Sequence, residues 1–278
     1  MPNTVTPPAP QDHVKMPALF IPHGGGPCFF MDWPPPNIWA GMEHFLRSLA
    51  ATCPRRPRAI LLISGHWQAP RFTIGSSARP ALIYDYFGFP QHTYELRYDA
   101  PGDPTLAARV RDCLTKEGIG AALDSVRGFD HGVFIPLKLV FPAADIPIVT
   151  LSLCEGLDTA AHIAAGRALS PLRDEDVLII GSGMSFHNMR AYGDPRYREI
   201  SDIFDTWLTA AIEEPDLEKR NEALTNWASA PQALQCHPRH HEEHLIPLMV
   251  VAGAGGRGSC IYKERVMETM ISGFRFDD

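Results

Sequence analysis

The stretch Ile21-Pro22-His23-Gly24-Gly25-Gly26-Pro27 decides the fold, because it joins the first buried segment to the first chemically active side chain. The apolar residues 17–21 predict a short buried strand. A histidine at the end of a strand lies at the edge of a sheet, and glycines leave open space beside its ring for a ligand or metal ion. An incidental histidine in a glycine-rich turn is the alternative. A phosphate-binding loop is disfavoured, because no Gly-Lys-Ser/Thr follows.

The same arrangement recurs twice along the chain. Residues 58–64 predict a buried strand that ends on Gly65-His66-Trp67. Residues 177–180 predict another strand, which runs into Gly181-Ser182-Gly183, with His187 shortly after it. Ligands of open α/β sheets gather beyond the carboxyl ends of the strands, so we expect these histidines to share a site. The second glycine directly follows Ser182, which is not the Gly-x-Ser-x-Gly pattern and argues against a serine hydrolase.

Two further polar clusters accompany these strand ends. Asp130-His131-Gly132 precedes a predicted helix, and the run from His237 to His244 holds four histidines and two glutamates within eight residues. On a helix His240 and His244 would share a face, although the match to the zincin His-Glu-x-x-His motif is weak.

Other polar and aromatic side chains have simpler interpretations. His162 is expected on the surface of an alanine-rich helix. The aromatic residues of segment 83–98 are expected to pack as a loop on the domain, with a pocket wall as the alternative. Arg127 and Arg239 are candidates for binding a substrate carboxylate, but surface positions explain both.

The order of apolar strands and amphipathic helices predicts an α/β fold. We expect a single domain with a central mostly parallel or mixed sheet, helices on both faces and a metal site at the strand ends. Residues 1–15 are polar and proline-rich and predict a disordered leader, which leaves 16–278 as a single catalytic domain.

Composition excludes several classes of protein. The formal net charge is -7 without a basic block, which disfavours nucleic acid as a partner. No apolar run is long enough to span a membrane. The six cysteines form no Cys-x-x-Cys pair, which disfavours a structural zinc site and favours reduced thiols in a cytoplasmic protein.

Taken together, the motifs resemble the class III extradiol ring-cleaving dioxygenases. The closest branch is the DOPA-dioxygenase-like one, related to the catalytic subunit of protocatechuate 4,5-dioxygenase. The matching motifs occur in the family's order: residues 17–27, 63–67, 84–90 (Tyr-Asp-Tyr-Phe-Gly-Phe-Pro), 130–132, 181–188 and 243–248 (Glu-His-Leu-Ile-Pro-Leu).

The resemblance implies a role for each histidine of these motifs. His23 and His66 match the family's two metal-binding histidines, and His244 matches the third protein ligand of this branch. His187 matches the acid/base histidine, which zinc-loaded relatives place close to the metal. His131 matches a second histidine lining the substrate site. The family metal is Fe(II), although purified members often contain zinc.

One departure leaves the third ligand open. The run before His244 is longer than the family's His-Pro-Arg-Glu-Glu-His, with His240 and His241 as additions. Protocatechuate-type relatives use a glutamate as ligand, so Glu242 or Glu243 is the alternative to His244. Whether His187 is a fourth ligand also stays open.

The predicted reaction is extradiol (meta) cleavage of a catechol-type aromatic by O₂ to a ring-opened hydroxymuconic semialdehyde. Gly25 is expected to leave room for the flat ring, and Tyr86 to stack on it. The partners are then a small aromatic catechol and O₂, in a monomer or homodimer. The alternatives are a zinc-dependent hydrolase and a Memo-like non-catalytic binding protein on the same scaffold.

Overall fold

An eight-stranded sheet runs through the part of the chain that the computed structural model describes, residues 14–278. The predicted leader lies outside the described residues except for Val14 and Lys15. The strands are β1 (Ala18–Pro22), β2 (Ala59–Ala69), β3 (Phe72–Gly75), β4 (Ala121–Asp124), β5 (Ile148–Cys154), β6 (Val177–Gly183), β7 (Gly258–Val266) and β8 (Thr269–Phe276). The helices are α1 (Ala40–Leu49), α2 (Pro104–Lys116), α3 (His131–Val140), α4 (Thr159–Leu169), α5 (Tyr197–Ile212), α6 (Leu217–Thr225), α7 (Ala233–Cys236) and α8 (Ile246–Ala254).

The middle of the sheet consists of parallel strands in the order β5-β2-β6-β1. β3 and β8 pair antiparallel with the outer two of these strands, and β4 and β7 form the edges. The sheet is therefore mixed with a parallel centre, which confirms the predicted fold class. The carboxyl ends of β1, β2 and β6 meet at one edge, where parallel sheets collect functional side chains.

Helices cover both faces of this sheet, as successive residues of β6 demonstrate. The Ser182 hydroxyl donates to the carbonyl of Gly132 in α3. At Gly181 an added Cβ would lie 2.5 Å from Val251 Cγ2 in α8. Because successive side chains of a strand point to opposite faces, α3 and α8 lie on opposite sides of the sheet.

Helix α8 is buried along its whole length, which explains why its sequence is apolar throughout. It packs between the sheet and α4, where glycines allow the two helix backbones to approach closely. A Cβ on Gly166 would lie 2.0 Å from the carbonyl oxygen of Val250. This close packing fixes α8, and with it the position of His244 just before the helix.

One strand is longer than the sequence predicts. β2 does not end at residue 64 but continues to Ala69, and its register against β5 is irregular between Ile63 and Gln68. His66 lies in this irregular part. His66 therefore reaches the edge of the sheet because β2 is distorted at this point, and not because β2 ends there.

The surface position expected for His162 is wrong, because its side chain is fully buried. Its Nδ1 lies 2.6 Å from the carbonyl of Asp158, and its Nε2 accepts from the backbone N–H of Cys154 at 3.1 Å. The ring therefore ties the first turn of α4 to the end of β5.

No helix within residues 14–278 combines the length and the apolar character needed to cross a bilayer. All six cysteines belong to this range, and each is a free thiol.

Candidate metal centre and active site

Three histidines from distant parts of the chain converge beyond the carboxyl ends of β1 and β2. His23 follows β1, His66 lies in the irregular part of β2, and His244 precedes α8. Nε2 of His66 lies 3.1 Å from Nε2 of His23 and 3.2 Å from Nε2 of His244. The structure thus brings together the three histidines that the family resemblance implies as metal ligands.

The opposite nitrogen of two of these rings faces an oxygen. Nδ1 of His23 lies 3.0 Å from Ser182 Oγ, whose own proton goes to the carbonyl of Gly132. Nδ1 of His244 lies 3.0 Å from Glu243 Oε1. Because these oxygens act as acceptors, both Nδ1 atoms carry the proton, and Nε2 of His23 and of His244 presents a lone pair.

The arrangement of these nitrogens fits a metal ion. Two lone pairs face Nε2 of His66, which carries at most one proton, so hydrogen bonds cannot satisfy both. Nitrogens bound to one metal at about 2.1 Å from adjacent octahedral positions are about 3.0 Å apart, close to the observed 3.1 and 3.2 Å. Three imidazoles suit iron, zinc, copper or nickel, and three protein ligands leave positions open for a substrate.

Burial keeps these imidazoles neutral. It is the main cause of a pKa well below the usual value for His23 and His244, and neighbouring histidines lower both further. Burial and then His131 lower the pKa of His66 to about 3, although Asp85 acts in the opposite direction. Neutral imidazole is the form that binds metals, so the site needs no deprotonation near neutral pH.

His131 is held at the start of α3 by Asp85. One carboxylate oxygen lies 2.8 Å from Nδ1 of His131 and 2.9 Å from its backbone nitrogen. Burial raises the pKa of Asp85, but the hydrogen bonds from His131 outweigh this effect and lower it to about 2. Nδ1 of His131 therefore donates to a carboxylate, and Nε2 is the nitrogen left for a ligand in the cavity.

His187 lies beside the three converging rings but does not join their Nε2 atoms. Its ring stacks on that of His244, with centroids 3.5 Å apart and an interplanar angle of 15°. Its buried Nδ1 lies 3.8 Å from Glu243 Oε1 and has no hydrogen-bond partner among the described residues. Burial, followed by His241 and His131, lowers the pKa of His187 to about 4, so the ring is neutral at pH 7 and able to accept a proton.

The glutamates of the last motif lie away from the converging nitrogens. Glu243 approaches Nδ1 of His244, on the opposite side of that ring from Nε2, and is close enough to share an ion only with His187 and His244 among the described residues. Glu242 does not line the cavity above the histidines. The geometry thus favours His244 over either glutamate as the third member of the cluster.

The remaining histidines of this motif lie elsewhere. His240 and His241 are exposed, and their segment is a loop, so no shared helical face with His244 exists. His237 is fully buried, and its Nε2 donates to the carbonyl of Ser185 at 2.9 Å.

A cavity of about 460 Å³ opens above the histidine cluster. Gly25, Tyr86 and His131, the residues predicted to contact substrate, all line it. The turn that forms its floor needs glycine, because φ is +79° at Gly24 and +56° at Gly26.

Segment 83–98 forms part of the cavity wall. Tyr86, Phe87 and Phe89 face the cavity, while Tyr84 packs on Phe134 of α3 with ring centroids 5.7 Å apart. The expectation of loop packing alone is therefore wrong, and the alternative of a pocket wall is correct for these three residues.

The side chain of Arg127 interacts with other residues of the protein and not with the cavity. Its guanidinium donates to Asp130 at 2.7 Å and lies 5.1 Å from the ring centre of Trp67. Asp130 also accepts from Ser64 at 2.7 Å, so this network connects β2 to the start of α3. Arg239 is exposed, and neither arginine lines the cavity.

The sequence interpretation missed several residues of the site. Ser182 and Asp85 entered it only as members of motifs and without a role, yet each orients a histidine. The sequence around Asp85 could have indicated its role, because a carboxylate between two tyrosines of a packed segment needs a hydrogen-bond partner. The cavity is also lined by residues that carry no motif, namely Trp33, Trp39, Met184, Met189, Tyr192 and Met267.

Comparison with known proteins gives a consistent result. A family described as the catalytic LigB subunit of aromatic ring-opening dioxygenase matches residues 17–274. A dioxygenase, tasH, of Hapsidospora irregularis is 41% identical over 86% of this chain and 78% of its own. The 4,5-DOPA dioxygenase extradiol of Beta vulgaris is 37% identical over 90% of each chain.

Bacterial proteins are also similar. The 4,5-DOPA dioxygenase extradiol of Escherichia coli K12 is 33% identical over 86% of this chain and 85% of its own. The crystal structure of an uncharacterized protein from Escherichia coli K12 superimposes with a TM-score of 0.73 at 27% identity, covering 94% of this chain and all of the other.

Proposed function

Because the chain belongs to the family of catalytic LigB subunits of aromatic ring-opening dioxygenases and is a class III extradiol dioxygenase, we propose that it cleaves a catechol-type ring with O₂ and Fe(II). His23, His66 and His244 hold the metal in this proposal. The observation that carries it is the convergence of three Nε2 atoms. Ser182 and Glu243 accept the Nδ1 protons of His23 and His244, so the Nε2 atoms of these two rings present lone pairs. Zinc fits the same imidazoles, so Fe(II) rests on the family's chemistry and on the need to activate O₂.

When bound by His23, His66 and His244, Fe(II) would supply open coordination positions and redox chemistry for the reaction of a catechol with O₂. The protein contributes orientation. The glycines after His23 line the cavity, and Tyr86 lies on its wall with its ring centroid 5.9 Å from that of His131. A catechol ring held in this cavity would present its two oxygens to the histidine cluster.

His187 is the proposed acid/base residue. The carboxylate of Glu243, 3.8 Å from Nδ1, favours the proton on that nitrogen, which leaves Nε2 to accept a phenolic proton. The same imidazole can return the proton later in the reaction. His131 offers its Nε2 to the substrate, because Nδ1 is bound to Asp85.

The overall reaction is balanced by the substrate and O₂ alone. The ring bond between one hydroxyl-bearing carbon and its neighbour without a hydroxyl breaks, and both atoms of O₂ enter the product. The catechol supplies all the electrons that reduce O₂. The product is a hydroxymuconic semialdehyde, which absorbs at longer wavelength than the catechol.

The test is reconstitution of the purified protein with Fe(II) without oxygen, addition of a catechol panel, and admission of air. We expect a yellow product and the uptake of one O₂ per catechol. Matched samples without metal, with Zn²⁺ and without O₂ should stay colourless. Ester or amide hydrolysis by the zinc form without O₂ would instead support the hydrolase alternative, and no turnover by any form would support a binding protein.

Two broader predictions accompany this proposal. A monomer or homodimer is expected, which sedimentation velocity tests. A cytoplasmic location is expected from the free thiols, which fractionation of the source cells tests.

A further inference from the structure

The cavity that would receive the catechol offers no cationic side chain. None of the described residues that line it is a lysine or an arginine. Arg127, a sequence candidate for binding a carboxylate, is held by Asp130 at 2.7 Å and covers Trp67 instead. A carboxylate lying against this apolar lining would be partly dehydrated without gaining a charged partner, which is unfavourable.

The hydroxyls of the two tyrosines in the wall are committed as well. The hydroxyl of Tyr86 donates to the carbonyl of Thr93 at 2.6 Å, and that of Tyr192 donates to the carbonyl of Phe186 at 2.8 Å. Both side chains therefore present mainly their rings to the cavity. A charged substituent would find no free hydroxyl donor on either tyrosine.

The mouth of the cavity is apolar and open. Phe87 is 90% exposed and Met189 is 71% exposed, although both line the same cavity as the buried histidines. Large apolar side chains exposed around a cavity mark a binding surface. Met184 and Met267 also line it, and methionines adapt to apolar partners of varied shape.

The cavity has a buried end and a solvent-exposed end, which indicates how a substrate is oriented in it. His23 and His244 are almost fully buried, whereas Phe87 and Met189 lie at the solvent side. A volume of about 460 Å³ is in the range that accommodates drug-sized ligands and exceeds the needs of one catechol ring. The hydroxyl pair therefore lies at the histidines, and a ring substituent extends outward.

Building on the proposed function, we infer that the substrate is a catechol with an uncharged, apolar substituent that lies between Phe87 and Met189. Catechols whose side chain ends in a carboxylate are disfavoured by the same cavity. The substituent covers the exposed faces of the two mouth residues, and its burial contributes to binding.

The experiment compares two compounds that differ in one charge: 3-(3,4-dihydroxyphenyl)propanoic acid and its methyl ester. We expect kcat/KM of the Fe(II) enzyme to be about tenfold or more higher for the ester near neutral pH. Binding is measured separately, without oxygen, by quenching of the fluorescence of Trp33 and Trp39, which line the cavity. The ester should bind about tenfold or more tightly.

A pair of variants at the mouth tests the cause. Met189→Lys adds a cation to the wall, and we expect it to reduce the preference for the ester by about tenfold or to reverse it. Met189→Gln changes polarity without charge and should keep the acid disfavoured.

The results separate this inference from the function on which it rests. Equal or better binding and turnover of the acid by the unaltered enzyme would overturn the inference and leave the dioxygenase function intact. Cleavage of neither compound would count against the function, and the fluorescence titration would still decide the preference.

Discussion

Glu243 Oε1 lies 3.0 Å from Nδ1 of His244, on the side of the ring opposite to the nitrogen that faces His66. The glutamate thus orients the histidine and does not compete with it for an ion. A carboxylate on the far nitrogen fixes the tautomer and raises the basicity of a metal-binding imidazole. This pairing makes His244 the candidate ligand and Glu243 its orienting partner, two roles that the sequence leaves open for these adjacent residues.

The first prediction concerns the identity of the metal ligands. His23→Ala, His66→Ala and His244→Ala should each lose bound metal, because each removes one of three converging nitrogens. Glu243→Gln should keep the metal with affinity about 10–100-fold weaker, since only the orienting partner changes. The measurement is metal content after dialysis and titration with a competing chelator, with Glu242→Gln as the matched control. Loss of metal in Glu243→Gln but not in His244→Ala would make the glutamate the ligand.

The second prediction concerns His187, whose ring stacks on His244 without joining the Nε2 cluster. His187→Ala should retain the metal and lose turnover by about 100-fold or more, the usual contribution of a positioned acid or base. Metal analysis and steady-state rates on the same sample test it. The exposed His44→Ala in α1 serves as the control and should match the unaltered enzyme. A metal-free His187→Ala protein would show that His187 is a fourth ligand.

The third prediction concerns Asp85 as a positioning residue for His131. Asp85→Asn removes the charge that orients Nδ1 of His131 and should lower kcat about 10–100-fold while the metal stays bound. A double-mutant cycle provides the specific readout. In a His131→Asn background the same change should cost little, because the group that it orients is already gone. Full additivity of the two losses would contradict this role.

The sequence predicts those parts of the site that local patterns determine. The apolar run before His23 and the glycines after it are contiguous, so β1 and the turn follow from the sequence. The role of Ser182 does not, because its partner His23 is 159 residues away and only strand pairing brings them together. Likewise Gly65-His66-Trp67 resembles the end of a strand, yet pairing of β2 with β5 continues to Ala69. Burial of His162 depends on where β5 ends, which no property of α4 alone indicates.

The fourth prediction concerns Ser182, which accepts from Nδ1 of His23 and donates to the carbonyl of Gly132. Ser182→Ala would leave a buried donor and a buried acceptor without this partner, at a cost of about 1–3 kcal/mol in the free energy of unfolding. Metal affinity should fall about 10–100-fold, because His23 loses its orientation. Chemical denaturation and chelator competition measure the two effects. Ser64→Ala is the comparison: it breaks the bonds to Asp130 and to the backbone N–H of His66 but none to an imidazole, and should affect affinity less.

The fifth prediction concerns stability in acid, through His162. Burial lowers the pKa of His162 below its usual value near 6.5, so the unfolded chain binds this proton more readily than the folded one. The neutral ring's contribution is therefore fully present above about pH 6.5 and is lost as the pH falls towards the lowered pKa.

His162→Phe should destabilise the protein by about 1–3 kcal/mol at pH 8, because the N–H of Cys154 loses its acceptor. The difference from the unaltered protein should shrink as the pH falls to 5, since phenylalanine takes up no proton. Urea unfolding at a series of pH values measures this difference, in which the contributions of groups that do not contact His162 cancel. A difference that stays constant or widens as the pH falls would contradict the assignment of a neutral, buried His162.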